Sequence, residues 1–180
     1  MSVTTELLRS YTGPRRVMRR LIAGNRGSDR PEARGFIYLF VGLLIIFLSQ
    51  IPDLIGVGIA TPELSDRLVG EDGPAPLDAE LAITMFGWLF VWPLILYIFG
   101  GLSHVLARLV GGQGRGVDAR LALFWAILAI SPLFLLRGMA SVSQTAPMVV
   151  VINYAIAAAF FWIWLAGLYE AERADTQEPV

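Results

Sequence analysis

The stretch that decides the fold is Phe36-Ile-Tyr-Leu-Phe-Val-Gly-Leu-Leu-Ile-Ile-Phe-Leu-Ser-Gln-Ile51, which contains no charged side chain. A hydrocarbon layer about 30 Å thick is crossed by about 20 mostly apolar residues in a helix. Three stretches further along the chain have the same character. The sequence therefore predicts an all-α, polytopic transmembrane bundle of four helices, with spans at residues 35–59, 81–102, 121–139 and 147–168.

The composition agrees with a membrane protein and narrows the chemistry. The chain has 180 residues and is 56% hydrophobic, well above the usual balance of a soluble protein. A four-helix bundle leaves no room at this length for a separate catalytic domain. The chain has no cysteine, which excludes disulfides, iron–sulfur clusters and thiolate metal sites. We expect no cofactor and no bound metal ion.

The segment before the first span, residues 1–34, is rich in arginine and is predicted to be a cytoplasmic arm. Apolar residues recur at helical spacing from residue 7 to residue 22, so the arm reads as an interfacial amphipathic segment. Pro14 fits the first position of a new helix, which predicts two short helices hinged at Gly13. A protein-binding arm is the alternative. The side chains predicted to contact anionic lipid headgroups are Arg15, Arg16, Arg19 and Arg20.

The charges of the connecting loops predict the orientation in the membrane. The loop at residues 61–80 carries six acidic residues and one arginine, whereas residues 103–120 carry three arginines and one aspartate. Arginine-rich flanks stay on the cytoplasmic side. We therefore expect a multi-pass protein of the inner membrane with both termini in the cytoplasm. The acidic tail, residues 170–180, follows the N-terminus to that side because the number of spans is even.

Two prolines and a glycine-rich turn interrupt the helical pattern. Pro93 and Pro132 lie inside spans and are predicted to kink their helices. Between the second and third spans, Gly111 and Gly112 are predicted to cap the preceding helix, and Gly114 continues the turn. The turn follows a helix and lacks the lysine and hydroxyl residue of a phosphate-binding loop. We therefore exclude nucleotide binding and expect no nucleic-acid partner.

The run His104-Val-Leu-Ala-Arg-Leu-Val-Gly-Gly-Gln-Gly-Arg-Gly-Val-Asp118, followed by Leu121-Ala-Leu-Phe-Trp-Ala126 and Ser131-Pro132-Leu133, resembles the Yip1 domain family. Members show a span that ends in an amphipathic stretch, then a glycine-rich turn, then a span with a central proline. The likeness covers about residues 14–169.

The resemblance implies a transmembrane domain over residues 35–169 and no catalytic residues. The family is usually described with five spans, whereas four are predicted here. Either two spans have merged near residues 147–169, or the chain resembles a shortened, bacterial-type relative. Eukaryotic relatives act in vesicle traffic beside small GTPases and with other membrane proteins.

Four polar side chains are predicted to lie towards the outer ends of the spans. Asp53 and Arg137 are predicted to form a structural ion pair, and a gate or proton-linked site is the alternative. Gln50 and Asn153 are predicted to form an interhelical hydrogen bond worth about 1 kcal/mol, with a polar pocket as the alternative. His104 is the only histidine and is predicted to be an interfacial residue, because a metal site needs at least three ligands.

These features favour a non-enzymatic protein that acts as an accessory or interaction subunit, through helix packing and its cytoplasmic arm. Its expected partners are the lipid bilayer with its anionic headgroups and another membrane protein or a second copy. The alternative is a small permease or channel component, because interrupted helices often border transport sites. An enzyme has the least support, since no carboxylate pair or histidine cluster occurs at one depth.

Overall fold

The computed structural model describes residues 3–60, 77–142 and 146–173, and it describes side chains at 3–52, 82–140 and 147–173. Within these ranges the chain is helical and contains no strand. A π-helical turn, Gly87–Val91, joins the fourth helix to the fifth. The helices are α1 (Val3–Thr12), α2 (Pro14–Arg26), α3 (Pro31–Ala60), α4 (Leu77–Phe86), α5 (Trp92–Leu109), α6 (Gly116–Val142) and α7 (Ala146–Arg173).

Four helical segments are long and apolar enough to cross a membrane, which confirms the predicted four-helix transmembrane bundle. We call the end of the bundle where α3 and α6 begin and α5 and α7 end the arm end, and the opposite end the far end. Residues 61–76 of the loop predicted at 61–80 lie outside the described residues, as do residues 143–145 between the third and fourth spans. The segments are Pro31–Pro52, Ala82–Leu109, Gly116–Ala140 and Pro147–Arg173.

All four span boundaries at the arm end differ from the sequence-based ones. The first and third spans were predicted to begin at residues 35 and 121, but α3 begins at Pro31 and α6 at Gly116. The second span was predicted to end at residue 102, but α5 continues to Leu109. The fourth was predicted to end at residue 168, but α7 continues to Arg173. The predicted boundary between the transmembrane domain and the acidic tail therefore falls inside a helix. Polar residues near the end of the second span, such as His104 and Arg108, therefore belong to a helix of the bundle.

The third span is the centre of the bundle. Within its most apolar window, 67% is buried inside the chain, against 39% for the first span, 17% for the fourth and 6% for the second. Every residue of α6 from Leu121 to Ile130 is buried. The first and fourth spans pack directly on α6, whereas the second is peripheral.

Glycines allow α3 and α6 to approach each other closely. A Cβ atom on Gly42 of α3 would lie 3.0 Å from the Cα atom of Leu128 on α6. Nearer the far end, a Cβ atom on Gly138 of α6 would collide with the backbone carbonyl of Ser49 on α3. Helices in lipid associate through close packing rather than through the hydrophobic effect, and small residues make that packing possible. These two glycines therefore set the distance between the central helices.

The prolines are accommodated without ending a helix. Pro132 cannot donate to the Leu128 carbonyl, and the Ser131 hydroxyl donates to that oxygen at 2.9 Å instead. Pro93 lies two residues after the π-helical turn ends at Val91, and that turn changes the hydrogen-bond register shortly before the missing N–H. The predicted interruptions at Pro93 and Pro132 therefore lie in helices that continue on both sides, and the size of each bend stays a prediction.

The arm forms two helices, α1 and α2, with Gly13 between them and Pro14 at the first position of α2, as the sequence predicts. Their apolar side chains contact protein. Met18 and Ile22 are buried in one cluster with Ala122 and Ala171 of the bundle. The interfacial position predicted for the amphipathic segment is not confirmed, because the segment buries its apolar face against α6 and α7.

Candidate functional site

The arm reaches deep along the third span. The hydroxyl of Tyr11 donates to the backbone carbonyl of Ala129, and the Trp125 indole N–H donates to the Ser10 hydroxyl at 2.9 Å. Ala129 lies about 20 Å along α6 from Gly116, at 1.5 Å per residue. Burial raises the pKa of the Tyr11 phenol, which favours the neutral, donating form. The end of α1 is therefore anchored near the middle of the bundle.

The four arginines predicted to contact headgroups divide into two sets. Arg19 donates to Glu170 at 2.6 Å, and Arg20 donates to Glu6 at 3.3 Å. The hydrogen bond and the negative charge of Glu170 raise the pKa of Arg19. The other two, Arg15 and Arg16, line a groove. Two of the predicted lipid contacts are therefore ion pairs that tie the arm together and to α7.

The groove lies between the α1–α2 junction and the outward face of α7. It has a volume of about 700 Å³. One wall is the junction itself, Thr12 to Arg16, and the other wall consists of apolar and aromatic side chains of α7. The guanidinium of Arg15 lies 4.5 Å from the centre of the Tyr169 ring. Two cationic groups therefore lie beside an apolar groove, an arrangement suited to binding an amphiphilic molecule.

A second polar cluster at the arm end joins α5, the glycine turn and α7. Glu172 is 8% exposed, and its Oε1 lies 2.8 Å from Nδ1 of His104. Its Oε2 accepts a hydrogen bond from the Gly114 N–H at 3.1 Å, and its backbone carbonyl accepts one from the Gln113 N–H at 3.2 Å. One glutamate thus connects a transmembrane helix to the turn between two others.

The predicted glycine turn has a defined geometry. Gly111 adopts φ +96°, a left-handed conformation that favours glycine. Its N–H donates to the Arg108 carbonyl, and the Gly112 N–H donates to the Ala107 carbonyl, which together close α5 with a Schellman motif. A Cβ atom on Gly114 would collide with the backbone of α7 at Ala171. The absence of a side chain at Gly114 therefore allows the end of α7 to pack closely against the turn.

Sequence reasoning missed the role of Glu172. It assigned this residue to the tail and assigned His104 to the membrane interface, and the two are 68 residues apart in the chain. One signal was present, since the predicted topology already placed the tail and the glycine turn on the same side. Among the described residues, no three metal-ligating side chains come together here. A single imidazole and a single carboxylate can hold helices together through a hydrogen bond.

At the far end, the structure joins one member of each predicted polar pair. Arg137 Nε donates to Asn153 Oδ1 at 2.9 Å, which links α6 to α7. The Asp53 side chain lies outside the described residues, so its pairing with Arg137 stays a prediction. The hydrogen bond between Gln50 and Asn153 also stays a prediction.

No protein-family model, no curated protein and no solved structure matches this chain.

Proposed function

We propose that this integral membrane protein is a non-enzymatic accessory subunit that binds another membrane protein, or a second copy, through its second span. One observation carries the proposal: only 6% of the apolar window of this span is buried inside the chain, against 67% for the third span. Lipid tails are as apolar as leucine, so a helix stays beside its bundle only through specific packing. A span with so little packing of its own retains a large surface for a partner helix.

Near the arm end, several side chains of α5 contact the other spans, and towards the far end α4 and the π-helical turn contact α3. Tyr97 stacks on Phe36 at 5.4 Å between ring centres, and the Arg120 guanidinium lies 4.8 Å from the centre of the Tyr97 ring. Gly100 faces Arg120 closely, with no space for a Cβ atom. These contacts fix the rotation of α5 about its axis, and hence which face it presents outwards.

The outward face is apolar and contains a glycine. Phe90, Leu94, Ile98 and Val105 are each more than half exposed and recur at helical spacing. Gly101 lies on this face, and a Cβ atom there would have no neighbour within 4 Å. A glycine on an apolar helix face allows a partner helix to approach closely.

The test is to solubilise the tagged protein mildly and to quantify co-purifying membrane proteins by mass spectrometry. Wild type should yield a stoichiometric membrane partner or a defined homo-oligomer. Gly101→Leu should reduce that association about tenfold, because a bulky side chain separates the helices. Ala157→Leu, on the exposed face of α7, is the matched control and should have no effect. Equal association in all three proteins would exclude the Gly101 face as the interface.

The alternative, a small permease or channel component, is supported by the π-helical turn that precedes Pro93 in the second span. Interrupted helices provide free backbone carbonyls beside transport sites. This function requires flux in liposomes that contain the purified protein alone. A homo-oligomer with reproducible solute or proton flux would replace the accessory-subunit proposal. A stoichiometric partner without flux would exclude the permease.

A further inference from the structure

We propose that the groove between the α1–α2 junction and α7 binds one anionic phospholipid, with an acyl chain along α7 and the phosphate held by Arg15 and Arg16. This inference builds on the predicted contact of the arm with anionic headgroups and names the site and its residues. It is independent of the partner proposed for the second span, because that face belongs to α5.

The dimensions of the groove fit an acyl chain in one leaflet. Its α7 wall extends from Ala158 to Tyr169, twelve residues that span about 16 Å of helix. Half of a hydrocarbon core about 30 Å thick is about 15 Å. Between these ends, Phe161, Trp162 and Leu165 are each more than half exposed and present an almost continuous apolar surface. An acyl chain lying along this wall would contact the α7 side chains in place of bulk lipid.

The charges around the groove select the headgroup. Arg19 and Arg20 are neutralised by Glu170 and Glu6, but no carboxylate among the described residues forms an ion pair with Arg15 or Arg16. Arg15 stacks on Tyr169, which positions its guanidinium and leaves its N–H groups available to an anion. Guanidinium groups bind phosphate oxygens with paired hydrogen bonds. The uncompensated positive charge therefore favours an anionic phospholipid over a zwitterionic one.

The hinge of the arm forms the second wall. Gly13 has no side chain, and a Cβ atom there would meet only the Arg9 carbonyl of its own helix, at 4.0 Å. The junction is held in place by Tyr11 on one side and by the buried Val17 and Met18 on the other. The groove is therefore bounded by anchored protein on both sides, unlike the open lipid-facing surface of a single helix.

The experiment uses the full chain in nanodiscs of phosphatidylcholine with a small fraction of phosphatidylglycerol that carries a photoreactive group in its acyl chain. Cross-linked peptides should map to residues 158–169. Photoreactive phosphatidylcholine should label this segment far less. Arg15→Gln combined with Arg16→Gln should lower the affinity for phosphatidylglycerol about tenfold, because two charge-assisted contacts are lost. Ala158→Phe should reduce labelling because the larger side chain fills the groove.

The matched control replaces two exposed arginines away from the groove, Arg30→Gln with Arg108→Gln, and changes the net charge equally. Thermal unfolding of each variant verifies that the bundle is intact. Equal loss of binding in the control pair would show general electrostatic attraction and overturn the proposal. Equal labelling by both lipids would also overturn the proposal. So would labelling that is found only outside residues 158–169. Because Gly101→Leu keeps both groove arginines, it should bind phosphatidylglycerol normally even if it loses its partner.

Discussion

At the scale of single residues, the polar contacts at the arm end determine how the helices are held. Glu172 is buried and uses both carboxylate oxygens, one for His104 and one for the Gly114 N–H. A buried carboxylate is costly unless hydrogen bonds compensate its lost hydration. Here the compensating donors come from two other elements of the fold. Burial of Glu172 is therefore compensated only when α7 packs against the glycine turn. The hydrogen bonds of Glu172 in turn stabilise that packing.

Removing that carboxylate should destabilise the protein. Glu172→Ala leaves the Gly114 N–H and the His104 ring without their acceptor, so we expect the free energy of unfolding to fall by about 1–3 kcal/mol. Thermal or denaturant unfolding in detergent measures the loss. The control is Glu32→Ala, which breaks an exposed ion pair with Arg120 and should cost about 0–1 kcal/mol. Equal stability of the two variants would show that Glu172 does not hold the turn.

At the scale of helices, close packing of the first and third spans forms the centre of the bundle. Gly42 and Gly138 face the backbone of the opposite helix, so neither position has space for a larger side chain. Because bilayer helices gain little by hiding apolar surface from water, such close contacts supply much of their association energy. The peripheral second span lacks comparable contacts over most of its length.

This difference in packing between the spans can be tested by replacing glycine with alanine at two positions. Gly138→Ala should lower the free energy of unfolding by about 1–3 kcal/mol, because the new methyl group separates α3 from α6. Gly101→Ala has open space and should be neutral or up to about 1 kcal/mol stabilising, since alanine favours helix. Size-exclusion chromatography after heating in detergent compares them. A stabilised Gly138→Ala variant would contradict the observed packing.

At the scale of the whole molecule, the arm and the end of α7 lie at the same end of the bundle. The ion pair between Arg19 and Glu170 joins them directly. Four spans would place both termini on one side of the membrane, and the arginine-rich flanks predict the cytoplasmic side. A fifth span would separate the termini.

Reporter fusions test this arrangement. Alkaline phosphatase, which is active only outside the cytoplasm, should be inactive when fused after Val180 or before Met1. The same reporter inserted in the acidic loop at residue 70 should be active and serves as the positive control. Activity after Val180 combined with inactivity at Met1 would require an odd number of spans and would contradict the four-span topology.

Much of the fold could be predicted because its determinants are local. A long apolar run predicts a membrane-spanning helix wherever it occurs, and Pro14 after Gly13 predicts the break between α1 and α2. The glycine turn was recognisable for the same reason, since Gly111 closes α5 through contacts only a few residues apart. The candidate sites were harder. Arg15 and Arg16 were among the predicted contacts, but nothing local separates them from Arg19 and Arg20, which form ion pairs.

The sequence by itself determined the helical class, the number of spans and the hinge of the arm, because hydrocarbon forces each backbone to satisfy its own hydrogen bonds. Only the tertiary structure decided which surfaces meet. In the structure, the arm packs on α6 and α7, Glu172 contacts His104, and Arg137 donates a hydrogen bond to Asn153. The physical reason is that lipid and protein interior are equally apolar, so hydropathy does not show how a spanning helix is rotated or which neighbour it contacts.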